Sequence, residues 1–207
     1  MHFQGPLTNE IFRSAVIEEA KILAYKCPRH ALAYYYCEDK FKDTQMLPNI
    51  LGSLIKQICA WSDEAFEDLD DLYEKCKKAA KHLPTTEELS KLFKGLSDYF
   101  DCIMVIIDGL DECSFPDERR KTLEILSTLN SPEFGNFKTI CTSRDEVDIR
   151  GNFSKFDKIS IAARGNDLEL YVSAGIESRI QKKILRMKDP SLKETIIDGI
   201  VSKANGM

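Results

Sequence analysis

Residues 103–107, IMVII, run without a polar interruption into Asp108, and Gly109, Leu110, Asp111 and Glu112 follow at once. An apolar run of this kind predicts a strand covered on both faces, as at the centre of a parallel sheet. Asp108 is the first residue to leave it and therefore stands at the carboxyl end of the strand, where open α/β sheets place their ligands. A carboxylate there can hold Mg²⁺, directly or through water. Gly109 permits close approach of a ligand or another backbone. Asp111 and Glu112 can orient or deprotonate an attacking water. The plainer reading makes Asp108 the start of a turn and Asp111 and Glu112 the cap of the next helix. Acids and glycine in this order, directly behind the apolar run, favour the chemical reading.

One strand further on, residues 137–144, FKTICTSR, end in Ser143 and Arg144. At the same sheet edge, a hydroxyl and a cation can sense a γ-phosphate. A metal-dependent phosphatase using the same acids is the weaker reading, because such sites use a DxD pair and here two residues separate Asp108 from Asp111.

The elements that must hold these residues read as alternating helices and strands. A helical period over residues 9–26, with Asn9 as N-cap, ends at Pro28. Residues 30–37, HALAYYYC, read as a strand covered on both faces, and a helix begins near Pro48. The next segment, residues 62–81, places acids first and lysines last, the order a helix dipole favours in a solvated helix. Thr85 and Glu88 are spaced as a capping box ahead of an apolar stripe formed by Leu89, Leu92, Phe93, Leu96 and Phe100. A helix over residues 116–129 then joins the two site-bearing strands into a right-handed βαβ unit. A shorter strand is expected at residues 156–161, FDKISI. Two amphipathic helices close the chain. The first is capped at Asn166 or Asp167 and carries Leu168, Val172, Ile176, Ile180 and Ile184. The second opens at Asp189 and Pro190, buries Leu192, Ile196, Ile197, Ile200 and Val201, and stops at Asn205 and Gly206.

The expected fold is therefore α/β: a partial three-layer parallel sheet flanked by helices over residues 1–163. Residues 164–207 would begin a following helical unit.

Composition narrows the function. A net charge of −5, with the 29 Lys and Arg scattered, argues against nucleic acid as a partner. No apolar run approaches the roughly 20 residues a membrane span needs. The first ten residues lack the pattern of a secretory signal, so a cytoplasmic location is expected. Seven Cys without a CxxC and with only three His argue against structural zinc or a disulfide framework, and Cys59 and Cys141 read as buried core residues.

Taken together, IMVIIDGLDEC resembles the Walker B segment of NACHT-type STAND NTPases, and KTICTSR resembles their sensor 1. SAVIEEAKILAYK with HALAYYYC, then DLELYVSAGIESRI and IVSKANGM, resemble the fungal branch related to the nephrocystin-3-like N-terminal domain. The resemblance implies that the parallel sheet is P-loop NTPase-like and that the protein is an ATP- or GTP-driven switch with Mg²⁺, set between effector and repeat domains, that binds protein partners and oligomerises when a ligand is sensed. One part of that pattern is missing. A phosphate loop needs GxxxxGK[ST] between a strand and a helix, but Gly5 is followed at the required interval by Glu10, and no Gly-Lys-Ser/Thr occurs. Residues 1–4 also look too few to form the strand that would carry such a loop. The expectation is a shortened switch domain that does not hydrolyse nucleotide, with a non-catalytic interaction scaffold as the alternative.

Overall fold

The computed structural model describes residues 2–3, 8–80, 83–129, 131–159, 165–182, 185–186 and 192–204. Four parallel strands form one sheet in the order β1-β4-β3-β2: β1 (His2–Phe3), β2 (His30–Tyr36), β3 (Cys102–Asp108) and β4 (Phe137–Thr142). The helices are α1 (Thr8–Lys26), α2 (Leu47–Cys59), α3 (Asp63–Lys78), α4 (Thr86–Gly95), α5 (Pro116–Leu129), α6 (Val147–Asn152), α7 (Gly165–Gln181) and α8 (Leu192–Ala204).

The chain crosses the sheet in one direction from β1 to β2 and returns through β3 to β4. Right-handed crossovers then require the connecting helices to lie on opposite faces. The packing obeys this. Met104 and Ile106 meet Ile17, Ala20 and Ala24 of α1 on one face, whereas Ile103, Val105 and Ile107 join α2, α4 and α5 in the main core on the other. The alternation along β3 follows the two-residue period of a strand. Ile103, Val105 and Ile107 are fully buried, each contributing about 1.5–3 kcal/mol of transfer free energy. α2 supplies the largest apolar face of the core, with Leu47, Ile50, Leu51, Leu54, Ile55, Ile58 and Cys59 buried at helical spacing.

β2 forms the edge of the sheet, and its outward backbone groups are covered by side chains. Gln57 accepts from the Tyr34 N–H at 3.1 Å and donates to the Tyr34 carbonyl at 2.9 Å, while Trp61 Nε1 donates to the Leu32 carbonyl at 3.1 Å. These contacts blunt the edge against pairing with another chain. Ala31, Leu32 and Ala33 are buried, as expected for a strand covered on both faces, but Tyr36 at its end is exposed.

The local signals upstream of the site hold in detail. Ser62 caps α3 by accepting from the Ala65 N–H. At α4, the Thr85 N–H donates to Glu88 and the Glu88 N–H donates to Thr85 Oγ1, a complete capping box.

Several expectations need correction. Residues 156–159 form no strand: the Phe156 N–H turns back to the Phe153 carbonyl, the two rings meet at a tilt with centroids 4.6 Å apart, and Phe156 packs against the main core. Residues 160–161 lie outside the described residues. The short helix α6 occupies part of the connection instead, seating buried Ile149. Asn9, Asn166 and Asp167 fall inside α1 and α7 rather than capping them. In α8, Ile197 is buried, but Leu192, Ile196 and Ile200 are exposed, because α8 packs chiefly against α7. Leu168 falls within α7, whereas Ile184, Asp189, Pro190, Asn205 and Gly206 lie outside the described residues. Finally, a short strand does precede Gly5: β1 pairs with β4, His2 opposite Cys141 and Phe3 opposite Thr142.

Candidate functional site

β3 ends at Asp108, between the ends of β2 and β4, with Tyr36 in register on one side. Asp108 is 2% exposed and lines a small cleft on the α1 face with Ile17, Tyr34, Tyr36, Ile106 and Thr142. Its carboxylate is held from the neighbouring strand: Thr142 Oγ1 donates to Asp108 Oδ1. The same hydroxyl accepts from the Gly109 N–H at 3.1 Å. One side chain at the end of β4 thus fixes both the carboxylate and the backbone that turns away from it. The sequence reading passed over Thr142 for its neighbours, although strand alternation puts Thr142, and not Ser143, on the face of β4 shared with Asp108.

The turn itself depends on Gly109, whose φ of 72° lies in the left-handed region. A Cβ there would fall 2.8 Å from the Cys37 carbonyl oxygen. The Cys37 N–H in turn donates to the Asp108 carbonyl at 2.9 Å, so the backbone after β2 lies directly against the turn. Leu110 then drops into the core, fully buried, and sets a short 3-10 turn over Leu110–Glu112.

Asp111 and Glu112 leave this turn toward different partners. Asp111 Oδ1 accepts the Arg144 N–H at 3.0 Å, and its other oxygen lies 3.4 Å from Arg144 Nε. Glu112 Oε2 accepts the Asp39 N–H at 3.1 Å. Of the five residues the sequence singled out, Asp108 therefore points to the cleft with Thr142, and Asp111 is joined to Arg144. Glu112 reaches instead to the loop after β2. The Ser143 hydroxyl donates to the Arg144 carbonyl at 2.6 Å, and the Arg144 side chain is 78% exposed.

A second residue that sequence reasoning missed is Gln45, which falls between the strand at residues 30–37 and the helix near Pro48. It is fully buried. Its amide nitrogen donates to the Glu38 and Asp39 carbonyls at 3.1 and 3.2 Å, while its oxygen accepts from the Ser114 N–H and hydroxyl, both at 2.8 Å. Gln45 thereby joins the loop after β2 to the loop after β3. Nearby, Glu118 Oε2 accepts the Leu47 N–H at the start of α2, and that hydrogen bond holds the Glu118 carboxyl below its ordinary pKa. On the α2 face beneath the turn, interaction between the buried Cys37 and Cys113 thiols draws Cys113 down and, with burial, pushes Cys37 up.

Among the described residues, no helix is long and apolar enough to cross a membrane. No curated protein and no solved structure matches the chain. A family model described as "Nephrocystin 3, N-terminal" matches residues 11–144, from α1 through the end of β4 and both acidic and Arg-bearing loops. That match covers well over half the sequence and the whole of the site, and the chain belongs to the nephrocystin 3, N-terminal family.

Proposed function

We propose that this domain is the metal-facing part of a nucleotide-dependent signalling switch of the NACHT-type STAND class. In this reading residues 103–113 are its Walker B segment and residues 138–144 its sensor 1. The reading rests on one observation above others: a buried carboxylate at the carboxyl end of a parallel strand, gripped by a hydroxyl from the adjacent strand. Among the described residues, no cluster of three or more His, Cys, Asp or Glu could hold a metal ion. The donors therefore do not fit a cage built wholly of protein. They fit Mg²⁺ held by one carboxylate together with phosphate oxygens and water.

Asp108 would hold that ion directly or through water, with Thr142 fixing the carboxylate's orientation. Bound there, the metal neutralises charge on phosphate oxygens. Asp111 places Arg144 at the sheet edge through its contacts with the Arg144 N–H and guanidinium, and Glu112 is committed to the Asp39 N–H. With these carboxylates engaged by the protein, the geometry favours nucleotide sensing over turnover. β1 and α1 flank residues 4–7, the position of a phosphate loop, but the sequence there is QGPL and Thr8 opens the helix. Without the loop's backbone donors and lysine, a triphosphate is gripped weakly.

Calorimetry with Mg·ATP and Mg·GTP tests this. The expected result is weak binding and no ATPase activity above an Asp108→Ala control. Grafting GxxxxGKT between β1 and α1 should bring affinity to the micromolar range, again dependent on Asp108. Binding undiminished by Asp108→Ala would overturn the assignment.

A second reading, a non-catalytic scaffold for protein partners, is favoured by the exposed Leu192, Ile196 and Ile200 on α8. It predicts no heat with either nucleotide, even after the graft. In both readings we assign residues 164–207 to the start of a separate helical unit.

A further inference from the structure

Arg119, in the first turn of α5, ties that helix to the loop that carries Arg144. Its side chain is only 12% exposed. Nη2 donates to Glu146 Oε2 and, at 3.0 Å, to Asp148 Oδ1, while Nε lies 2.9 Å from Asp148 Oδ2. Both carboxylates turn in to the guanidinium, and Val147 between them is left 82% exposed. Glu146 passes this hold on to Arg144, because its N–H donates to the Arg144 carbonyl at 3.0 Å. The same carbonyl accepts from the Ser143 hydroxyl, and Asp111 accepts the Arg144 N–H. The backbone of Arg144 is therefore fixed at both of its polar groups, whereas its guanidinium stays exposed. The preceding α5 residue, Glu118, accepts the Leu47 N–H at the start of α2. Two consecutive side chains of α5 thus hold the chain that follows β2 and the chain that follows β4.

We propose that Arg119 is a positioning residue: acting through Glu146, it presets the backbone of Arg144 at the carboxyl edge of the sheet, so that the exposed guanidinium meets a phosphate-bearing ligand from a fixed base. The ligand half of this proposal rests on the nucleotide-switch reading, but the hold of Arg119 on the loop does not. The role calls for arginine. A planar fork serves two carboxylates at once, whereas a lysine ammonium is a single point charge.

Backbone amide exchange, followed by NMR on the full chain, tests the hold. Arg119→Met keeps an apolar stem and removes the fork. The Arg144 and Glu146 amides should then exchange about tenfold faster, as the loss of a charge-assisted contact implies. Thr85→Ala, which removes the α4 cap far from this loop, is the control for general destabilisation and should leave those two amides at their parent rates. Arg119→Lys should recover part of the protection. Glu146→Gln combined with Asp148→Asn removes the same clamp from its exposed side and decides the matter should Arg119→Met not fold; adding Arg119→Met to that pair should change nothing further. Unchanged exchange at Arg144 and Glu146, or equal acceleration in Thr85→Ala, overturns the role of Arg119. Mn²⁺·ATP then tests the ligand half: in Arg119→Met the amides of residues 108–112 should broaden as in the parent, and those of Ser143 and Arg144 less. Equal broadening at Ser143 and Arg144 in both proteins overturns it. A parent that shows no broadening anywhere overturns the nucleotide reading and the ligand half together, while faster exchange in Arg119→Met would still support the hold.

Discussion

Replacing Gly109 by alanine adds a single methyl group at the point where the chain turns away from β3, and the structure sets its cost from two sides. The φ of 72° places a side-chain-bearing residue in the left-handed region, which costs roughly 1–2 kcal/mol. The new Cβ also falls 2.8 Å from the Cys37 carbonyl, a backbone atom that cannot rotate away. Relieving that overlap means shifting the segment after β2, at about 1–3 kcal/mol as for other overpacked sites. The sum is about 2–5 kcal/mol, a large part of a domain's total stability. Urea denaturation followed by tryptophan fluorescence measures it, since Trp61 packs against β2. Gly52→Ala is the matched control: Gly52 lies within α2 with nothing within 4 Å of its added Cβ, so that change should stabilise by about 0.5–1 kcal/mol. A Gly109→Ala variant within 0.5 kcal/mol of the parent would refute the argument that this turn is held against Cys37.

Other substitutions probe the contacts around the turn. Gln45→Leu leaves the Glu38 and Asp39 carbonyls and the Ser114 N–H without their partner, and should lower stability by on the order of 3 kcal/mol in denaturant titrations. Thr142→Val, nearly isosteric, removes the donor to Asp108 and the acceptor for the Gly109 N–H; it should cost about 1–3 kcal/mol, whereas Ser143→Ala should change stability less. The Glu118 contact predicts a pH dependence of fixed sign. Because its folded-state pKa lies below the unfolded value, its contribution is complete above about pH 5 and is lost as pH falls through the depressed pKa. Thermal melts of Glu118→Gln should therefore lie below the parent at neutral pH and converge with it in acid.

Much of this fold is written in local signals that tertiary structure had no reason to override. IMVII could be read as a central strand because both of its faces are covered, and α4 because Thr85 and Glu88 satisfy each other's backbone partners within one turn. α5 was legible from Pro116 and the acids behind it. The failures have physical causes of another kind. FDKISI has the composition of a strand, but Phe156 is drawn instead onto Phe153. The apolar positions of α8 could not show that α7 would cover only one side of them. β1 escaped notice because two residues carry no periodicity, and only the ladder to β4 defines them. At the site, the acids announced themselves by following an apolar run. Gln45 and Thr142 did not, because their roles arise from partners 69 and 34 residues away.

The central claim is that Asp108 faces a metal carried by a phosphate ligand at the carboxyl edge of the sheet. Paramagnetic broadening of backbone amide signals by Mn²⁺·ATP tests it most directly, because it detects even weak binding at residue resolution. The account predicts that the amides of residues 108–112 and 142–144 broaden first and that Asp108→Asn removes the effect. Broadening centred on the exposed acids of α3, with residues 108–112 and 142–144 unchanged, would contradict it.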